Sequence, residues 1–213
     1  MSKTICIMGE SGSGKTTSLR NLDPATTYIL DCDKKGLSWR GWRKAYNAEA
    51  KNYHVTDYPE EVHGILSGIS TMRPNIKVVV VDTINGLMVA DEMRRSKEKG
   101  YDKWVDLAQC IWDLVNDALT LRDDLTVIFT AHTQTERDES GYQFTSIKTN
   151  GKKLNKIVLE SKFTTVLLSK RVGDNYVFET QARNSTAKSP MGAFESFEIP
   201  NDINEVIKVL EEF

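Results

Sequence analysis

The sequence predicts an α/β fold with a mostly parallel central sheet flanked by helices. Two observations favour this fold class. Short, continuous apolar runs alternate along the chain with longer segments of helical spacing, and such uninterrupted runs suit strands that are covered on both faces. A glycine-rich turn also directly follows the first apolar run, where a strand would pass into a helix. The 213 residues suffice for one domain, residues 1–213, with a sizeable core.

The individual elements follow from the pattern of each segment. Apolar runs predict strands at residues 4–8, 27–33, 77–83, 125–133, 162–171 and 175–183. Helical spacing predicts helices from the glycine-rich turn to residue 21, and at 60–69, 104–121 and 201–213. Gly173 and Asp174 are typical of a tight turn, so the last two strands should form a C-terminal antiparallel extension. Asn201 or Asp202 would cap the last helix.

Composition excludes several classes of protein. The formal net charge of −2 is incompatible with a basic coat over the whole surface, although it allows a local basic patch. Cys6, Cys32 and Cys110 lie far apart without zinc-site spacing, so we expect small buried side chains in a reducing cytoplasm. The first apolar run is too short for a signal peptide, and no stretch reaches the ~20 apolar residues of a membrane span. A cytoplasmic location without membrane contact is therefore expected.

The stretch "GESGSGKTTS", residues 9–18, carries the clearest chemistry. Gly9 is followed by four residues and then by Gly14-Lys15-Thr16. Glycines at this spacing let backbone N–H groups converge on phosphate oxygens, while the lysine reaches the β- and γ-phosphates and the hydroxyl binds Mg²⁺. We therefore expect a P-loop NTPase fold whose ATP-binding residues are Gly9, Glu10, Ser11, Gly12, Ser13, Gly14, Lys15, Thr16 and Thr17.

Carboxylates end two of the predicted strands. Asp82 closes the run "VVVVD", where a lone charge after four valines suits a second Mg²⁺ ligand beside Thr16. Many P-loop ATPases place a catalytic Glu directly after this Asp, but Thr83 stands there in this chain. The base that activates water must then come from elsewhere, and Asp31 and Asp33 at the end of the second strand are the candidates.

These motifs together resemble the ATPase core of RecA/RadA-type recombinases over about residues 1–190. Matching "YILDCD" to that family puts Asp33 where an acidic residue, normally Glu, polarises the attacking water. "VVVVDTINGL" looks like the metal-binding strand of the family, and "VIFTAHTQ" like the strand that ends in a sensor of the γ-phosphate. The resemblance assigns that sensor role to His132, where the family usually has Gln. A histidine that merely ends a strand at the surface is the alternative.

Only two or three residues precede the first strand, so the N-terminal oligomerisation segment of these recombinases is not expected. The chain is most similar in outline to RecA-core proteins carried by phages, which are nucleotide-binding or single-strand-annealing proteins. This likeness implies a homo-oligomer, as a ring or filament built from core surfaces, or a partner recombination protein. It also implies the cytoplasm of a host cell. Arg183 and Lys188 match basic residues that reach the nucleotide of an adjacent subunit, although an ordinary strand-end Arg is equally compatible.

A basic segment follows the predicted sensor. Between residues 148 and 171 the chain has seven basic residues and one acidic residue, next to the polar stretch 134–153, which is predicted to be a flexible loop. Single-stranded DNA is the partner that such a segment would bind, although a merely solvated loop is the alternative. Residues 92–104 are a weaker second candidate because acids dilute their charge. The predicted DNA-binding residues, two of them aromatic, are Tyr142, Phe144, Lys148, Lys152, Lys153 and Lys156.

Three functions remain compatible with the sequence. The first is an ATPase that binds single-stranded DNA, with Lys15, Asp33, Asp82, His132 and Arg183 as its catalytic residues. The second is a nucleotide or small-molecule kinase, although Arg94-Arg95 is the only arginine pair and does not sit in a glycine-bounded lid. The third is an ATP-dependent switch without appreciable turnover, which the short side chain of Asp33 would favour.

Overall fold

The computed structural model describes residues 2–100, 102–137, 139–149 and 158–213. A single β-sheet forms the centre of this described part, with strand order β3-β2-β4-β5-β1-β7-β8-β9, and β6 pairs with the end of β5. The strands are β1 (Lys3–Gly9), β2 (Thr27–Asp31), β3 (Tyr53–Val55), β4 (Val78–Asp82), β5 (Thr126–Arg137), β6 (Gln143–Ile147), β7 (Thr165–Val172), β8 (Asn175–Glu179) and β9 (Glu198–Pro200).

Parallel pairing dominates this sheet. The neighbours from β3 through β2, β4, β5 and β1 to β7 all run parallel, whereas β8 and β9 continue the sheet antiparallel. The predicted α/β fold with a C-terminal antiparallel extension is confirmed. The carboxyl ends of parallel strands meet at one edge of the sheet, and the register pairs Gly9 with His132 and Asp31 with Asp82 there. This edge brings the predicted site residues together.

Helices cover both faces of the sheet. They are α1 (Trp42–Ala45), α2 (Pro59–Met72), α3 (Ile84–Arg94), α4 (Asp102–Leu119) and α5 (Ile203–Leu210). The side chains of β4 alternate between the two faces. Val79 and Val81 join the apolar cluster under α2, α3 and α4, while Val78 and Val80 join the cluster under α1 and α5. A run of valines is therefore buried on both sides, as its composition predicts. None of the helices described here combines the length and apolar character needed to cross a bilayer.

The segment after the glycine-rich turn differs from the prediction. Instead of a helix to residue 21, a single 3-10 turn spans Thr16–Leu19. The Ser18 hydroxyl donates to the carbonyl of Lys15 at 2.6 Å, so the side chain takes a backbone acceptor that a longer helix would use. Pro24 follows shortly afterwards and disfavours helical geometry in the residue before it. The last helix is shorter than 201–213, and Asp202 caps it by accepting from the N–H of Asn204 at 3.0 Å.

The polar stretch 134–153 also differs from the prediction of a flexible loop. Strand β5 continues to Arg137 and pairs antiparallel with β6, in a register that runs from Thr133 opposite Ile147 to Arg137 opposite Gln143. We call the paired residues 133–137 and 143–147 the hairpin. Its backbone groups bond to each other, and the threonines and Phe144 suit strands. Most of its side chains are only partly buried or exposed, so the apolar alternation that indicates a strand is missing from the sequence. Residues 150–153 lie outside the described residues.

Candidate functional site

The phosphate loop, residues 9–16, joins β1 to the 3-10 turn. Gly14 adopts φ +99°, which disfavours other residues, and the ring of Tyr176 packs 2.8 Å from the position that a Cβ atom of Gly14 would take. Gly9 lies so close to β7 that a Cβ atom there would be 2.5 Å from the Ser169 carbonyl oxygen. These contacts explain why glycine is needed at both positions.

Ser169 of β7 and Asn201, which lies just before α5, support the phosphate loop. The Ser169 hydroxyl donates to the carbonyl of Ser13 at 2.8 Å, and the Asn201 amide donates to the Ser169 hydroxyl at 3.1 Å. Both Ser13 and Asn201 are buried. The loop is therefore held by a short chain of hydrogen bonds that begins just before α5.

Lys15 lies in the centre of the loop with only 5% of its surface exposed. Its ammonium group donates to the carbonyls of Gly9 and Glu10, both at 2.8 Å, and lies 3.4 Å from Nδ1 of His132. Burial lowers the pKa of Lys15 to about 8, although the charge of Asp82 works in the opposite direction. A bound phosphate would supply the negative charge that favours the protonated lysine.

Asp82 meets Thr16 at the carboxyl end of β4. The Thr16 hydroxyl donates to Oδ2 of Asp82 at 2.9 Å, and the Thr130 hydroxyl donates to Oδ1. Asp82 is fully buried, and burial raises its pKa. A hydroxyl and a carboxylate side by side are hard oxygen ligands, so these two residues fit Mg²⁺. The described residues contain no group of three or more His, Cys, Asp or Glu that could hold a metal, so a metal beside Thr16 and Asp82 would need further oxygen ligands from phosphate or water.

Asp82→Asn is expected to make the nucleotide-free protein more stable and to abolish the Mg²⁺ dependence of ATP binding. Burial raises the pKa of Asp82, so above this pKa the native state carries a charge that the unfolded chain hydrates better. Removing the charge should raise the free energy of unfolding measured by urea titration at pH 7. ATP titration with and without Mg²⁺ measures the second effect.

Asp124→Asn is the matched control for that substitution. Asp124 pairs with Lys77 at 2.5 Å, and the hydrogen bond from Lys77 lowers the pKa of Asp124. Its charge therefore favours the native state above the unfolded pKa, and the same chemical change should lower stability slightly while ATP binding stays dependent on Mg²⁺. Equal stability changes in the two variants, or Mg²⁺-dependent ATP binding in Asp82→Asn, would contradict the assignment.

The two carboxylates after β2 have different surroundings. Asp31 is buried, and its Oδ2 accepts from the N–H of Gly36 and the hydroxyl of Tyr53, both at 2.7 Å, so it holds the following turn. Asp33 is only half-buried and lies at the same edge as Asp82. Its Oδ1 accepts from the Thr83 hydroxyl at 2.9 Å. Of the two candidates for the base, Asp33 is the one that is partly exposed and that accepts from side chains rather than from the backbone of the turn.

Lys35 is a charged group at the site that the sequence analysis missed. Its ammonium group lies 2.5 Å from Oδ2 of Asp33. Partial burial would lower the pKa of Lys35, but the charges of Asp82 and Asp33 outweigh this effect and raise it. The site therefore contains a second cation beside Lys15. Its position two residues after Asp33 in "DCDKKG" was the available signal.

His132 occupies the edge of the sheet next to Gly9, as the strand register requires. Burial lowers its pKa, and the positive charge of Lys15 lowers it further, so the imidazole is neutral near pH 7. An ammonium group can only donate, so Nδ1 of His132 accepts from Lys15 and the ring proton belongs on Nε2. This geometry places an N–H donor of the ring beside the lysine that would bind the phosphates.

The remaining predicted residues form no hydrogen bond with Lys15 or Asp82, as far as the structure describes them. Thr17 contacts Ser38, with 3.0 Å between the hydroxyl oxygens, and Arg183 stacks over Phe197 with its guanidinium 3.8 Å from the ring centroid. Tyr142, Phe144 and Lys148 are exposed on or beside the hairpin. Lys152, Lys153 and Lys156 lie outside the described residues. In the 92–104 candidate, Arg95 pairs with Glu98 and Asp106, which reduces the positive charge available there.

A cleft of about 320 Å³ separates the phosphate loop from the hairpin. Its walls are residues 10–13 of the loop, threonines of the hairpin and the end of β7. The full lining comprises Glu10, Ser11, Gly12, Ser13, Thr133, Thr135, Thr145, Leu168, Ser169, Lys170 and Arg171. The phosphate loop and the hairpin therefore face each other across one opening.

A comparison with models of protein families identifies the region that contains this site. A family model described as an AAA domain matches residues 1–190. A search of curated proteins found no match. The matched region contains the phosphate loop, the Thr16–Asp82 pair, Asp33 and His132. The chain therefore belongs to the AAA domain family of P-loop proteins, which indicates nucleotide binding and ATPase activity.

Proposed function

We propose that this protein is an ATPase that uses ATP and Mg²⁺ to control its binding of single-stranded DNA, in the manner of RecA/RadA-type recombinases and of phage proteins for recombination or annealing. The cleft between the phosphate loop and the hairpin is the observation that carries the proposal. One strand, β5, carries His132 beside Lys15 and then continues into the hairpin. A change at the terminal phosphate can therefore act on the strand that leads to the exposed aromatic side chains.

The residues at the edge of the sheet have separate roles in hydrolysis. Lys15 would exchange its bonds to the carbonyls of Gly9 and Glu10 for phosphate oxygens, and Thr16 and Asp82, which bond to each other, would hold the metal. When bound, Mg²⁺ neutralises charge on the phosphates. Asp33 would accept the proton of the attacking water as the water oxygen bonds to the terminal phosphorus, and the bond from that phosphorus to the oxygen that leaves with ADP would break. Neutral His132 would donate from Nε2 to an oxygen of the terminal phosphate.

Asp33 also gives a reason to expect slow turnover. Thr83 and Lys35 engage its two carboxylate oxygens, so one contact must be exchanged before Asp33 can take a proton from water. This engagement is the specific observation that favours the second candidate, an ATP-dependent switch with little turnover. Hydrolysis assays separate the two candidates directly.

The hairpin supplies groups suited to single strands. Tyr142 and Phe144 are 49% and 40% exposed, two residues apart, and Lys148 follows on the same side of the chain. Aromatic rings stack on bases, and a lysine neutralises phosphate charge without reading sequence. We therefore propose single-stranded DNA as the partner and sequence-independent binding as its mode.

Oligomerisation forms the second part of the proposal. Arg183 stacks on Phe197 at the antiparallel edge of the sheet, with its guanidinium on the surface. We propose that it acts on the nucleotide of an adjacent copy, in a ring or filament, or that a partner recombination protein takes this place. Activity that rises more steeply than protein concentration would support a shared site.

The first test is steady-state ATP hydrolysis with Mg²⁺, with and without single-stranded DNA, over a series of protein concentrations. We expect slow basal hydrolysis that DNA stimulates, and a specific activity that rises with protein concentration. Measurable ATP binding without hydrolysis under any condition would favour the switch. Hydrolysis that DNA leaves unchanged would contradict the proposed coupling, and a screen of phosphate acceptors would then test for a kinase.

Replacing both Tyr142 and Phe144 with Ala is expected to weaken binding of an oligothymidylate strongly. Stacking contributes about 1–3 kcal/mol per base, which corresponds to about 5- to 150-fold in affinity for each lost ring. Fluorescence anisotropy at several salt concentrations measures the loss, and the salt dependence should stay constant because no cation is removed. Phe213→Ala, which removes a 61% exposed ring at the chain terminus, should leave affinity unchanged. Equal affinities of the native protein, the double variant and Phe213→Ala would show that the hairpin is not part of the DNA site.

A further inference from the structure

One hydrogen bond is missing from the base of the hairpin, and a side chain replaces it. The ladder between β5 and β6 ends with Thr133 opposite Ile147, so His132 and Lys148 form the next pair. The N–H of Lys148 donates to the carbonyl of His132 at 2.7 Å. An antiparallel pair would return a bond from the N–H of His132 to the carbonyl of Lys148. Both of these groups instead bond to Asn85.

Asn85 occupies that gap in the way a peptide group would. The N–H of His132 donates to Oδ1 of Asn85 at 2.7 Å, and Nδ2 of Asn85 donates to the carbonyl of Lys148 at 2.7 Å. Asn85 is only 6% exposed, so groups left without these bonds would be largely withheld from water. A carboxylate at this position has no donor for the carbonyl, and an apolar residue satisfies neither group. The position therefore requires a carboxamide.

The same end of α3 also packs against Asp33, the proposed base. Asn85 follows Asp82 by three residues, and Thr83 donates to Asp33. Gly86 packs so closely that a Cβ atom there would lie 2.5 Å from Oδ1 of Asp33. The start of α3 therefore packs directly against Asp33.

His132 contributes the second connection. Its ring faces Lys15 at 3.4 Å, whereas its backbone N–H is bound by Asn85. A displacement of His132 or of the start of α3 would therefore be transmitted through Asn85 to Lys148, at the base of the hairpin. Rigid contacts of this kind can link two sites when both bias the same element.

We propose that Asn85 is a positioning residue that couples occupancy of the terminal-phosphate site to the conformation of the hairpin. This inference rests on the proposed function for its biological meaning, because there the hairpin binds DNA. The coupling itself changes only the conformation of the hairpin and does not require DNA. Asn85 touches neither nucleotide nor DNA in this scheme and acts only through His132 and Lys148.

Hydrogen exchange at the amides of β6 tests this coupling without DNA. The full-length protein is compared with and without Mg²⁺ and the non-hydrolysable imido analogue of ATP, at a saturating concentration. In the native sequence we expect the analogue to slow exchange at residues 143–147 several-fold. In Asn85→Asp, which keeps the acceptor and removes the donor, the effect of the analogue on β6 should disappear. Asn85→Ala, which removes both bonds, serves as a second variant if Asn85→Asp does not fold.

Asn116→Asp is the matched control, because Asn116 also lies on a helix and donates its amide to a backbone carbonyl, that of Trp112 at 2.9 Å. The analogue should slow hydrogen exchange at β6 as much in Asn116→Asp as in the native sequence. Two results would overturn the inference. One is an exchange rate at β6 of the native protein that the analogue does not change, and the other is slowing of β6 exchange by the analogue in both Asn85 variants. Affinity for oligothymidylate, measured in parallel, separates the two proposals. A normal β6 response without DNA binding leaves the coupling intact and rejects the proposed function.

Discussion

Lys15→Ala is expected to lower kcat/KM for ATP hydrolysis by about 10²–10³-fold or more, the effect of removing a principal donor to developing phosphate charge. The buried ammonium group of Lys15 contacts the carbonyls of Gly9 and Glu10 and faces His132, so the variant loses the positive charge at the centre of the loop. ATP affinity should fall as well, because the lysine binds phosphate in the ground state too. Enzyme-coupled phosphate release and nucleotide titration measure the two effects.

Two comparisons make the Lys15 result specific. Lys77→Ala removes an exposed lysine that pairs with Asp124 far from the site, and its activity should match the native protein. Lys15 also holds two loop carbonyls, so thermal unfolding of Lys15→Ala must be measured beside activity. A stable Lys15→Ala protein with native kcat/KM would show that the phosphate loop is not where hydrolysis occurs.

Asp33→Asn should reduce kcat by about 10²–10⁴-fold while ATP affinity stays within a few-fold, as expected when a general base is removed and the phosphate contacts remain. The amide keeps the shape of the side chain and can still accept from Thr83, but it cannot take a proton from water. Single-turnover hydrolysis and nucleotide titration separate the two quantities. An unchanged kcat would exclude Asp33 as the base and leave hydrolysis to another group.

Asp31→Asn provides the control, since Asp31 lies two residues away and has a different role. Asp31 accepts from Gly36 and Tyr53 and is buried, so the substitution should cost about 1–3 kcal/mol of stability. Its effect on kcat should be much smaller than that of Asp33→Asn. The opposite pattern, with catalysis lost in Asp31→Asn and retained in Asp33→Asn, would exchange the two roles.

The sequence predicted those parts of the site that depend on strand ends and on local spacing. Lys15 and Thr16 follow from the glycine pattern, and Asp82 from its place after four valines, because parallel strands bring their carboxyl ends together. In this way residues 66 positions apart, Thr16 and Asp82, could be placed in contact before the structure was known. The alternation of valines likewise indicated a sheet covered on both faces.

Other features depend on contacts that no local pattern encodes. The hairpin is polar on most of its exposed surface, so its strands carry no apolar period, and the extent of β5 follows from pairing with β6 instead. Asn85 reaches His132 and Lys148 only because α3 packs against that end of the sheet, 47 and 63 positions along the chain. The proposed base was predicted, whereas the lysine beside it was missed, although its position two residues after Asp33 is visible in the sequence.

Part of the support of the phosphate loop comes from residues that lie beyond the family match. The family match ends at residue 190, yet Asn201 lies beyond it and sustains the bond from Ser169 to Ser13 in the loop. Val206 and Leu210 of α5 complete the apolar layer on the same face of the sheet. The hydrogen bonds and apolar contacts that hold the phosphate loop in place therefore extend past the boundary of the family match. A chain cut at residue 190 would keep every matched residue and lose Asn201 and α5, and with them these contacts.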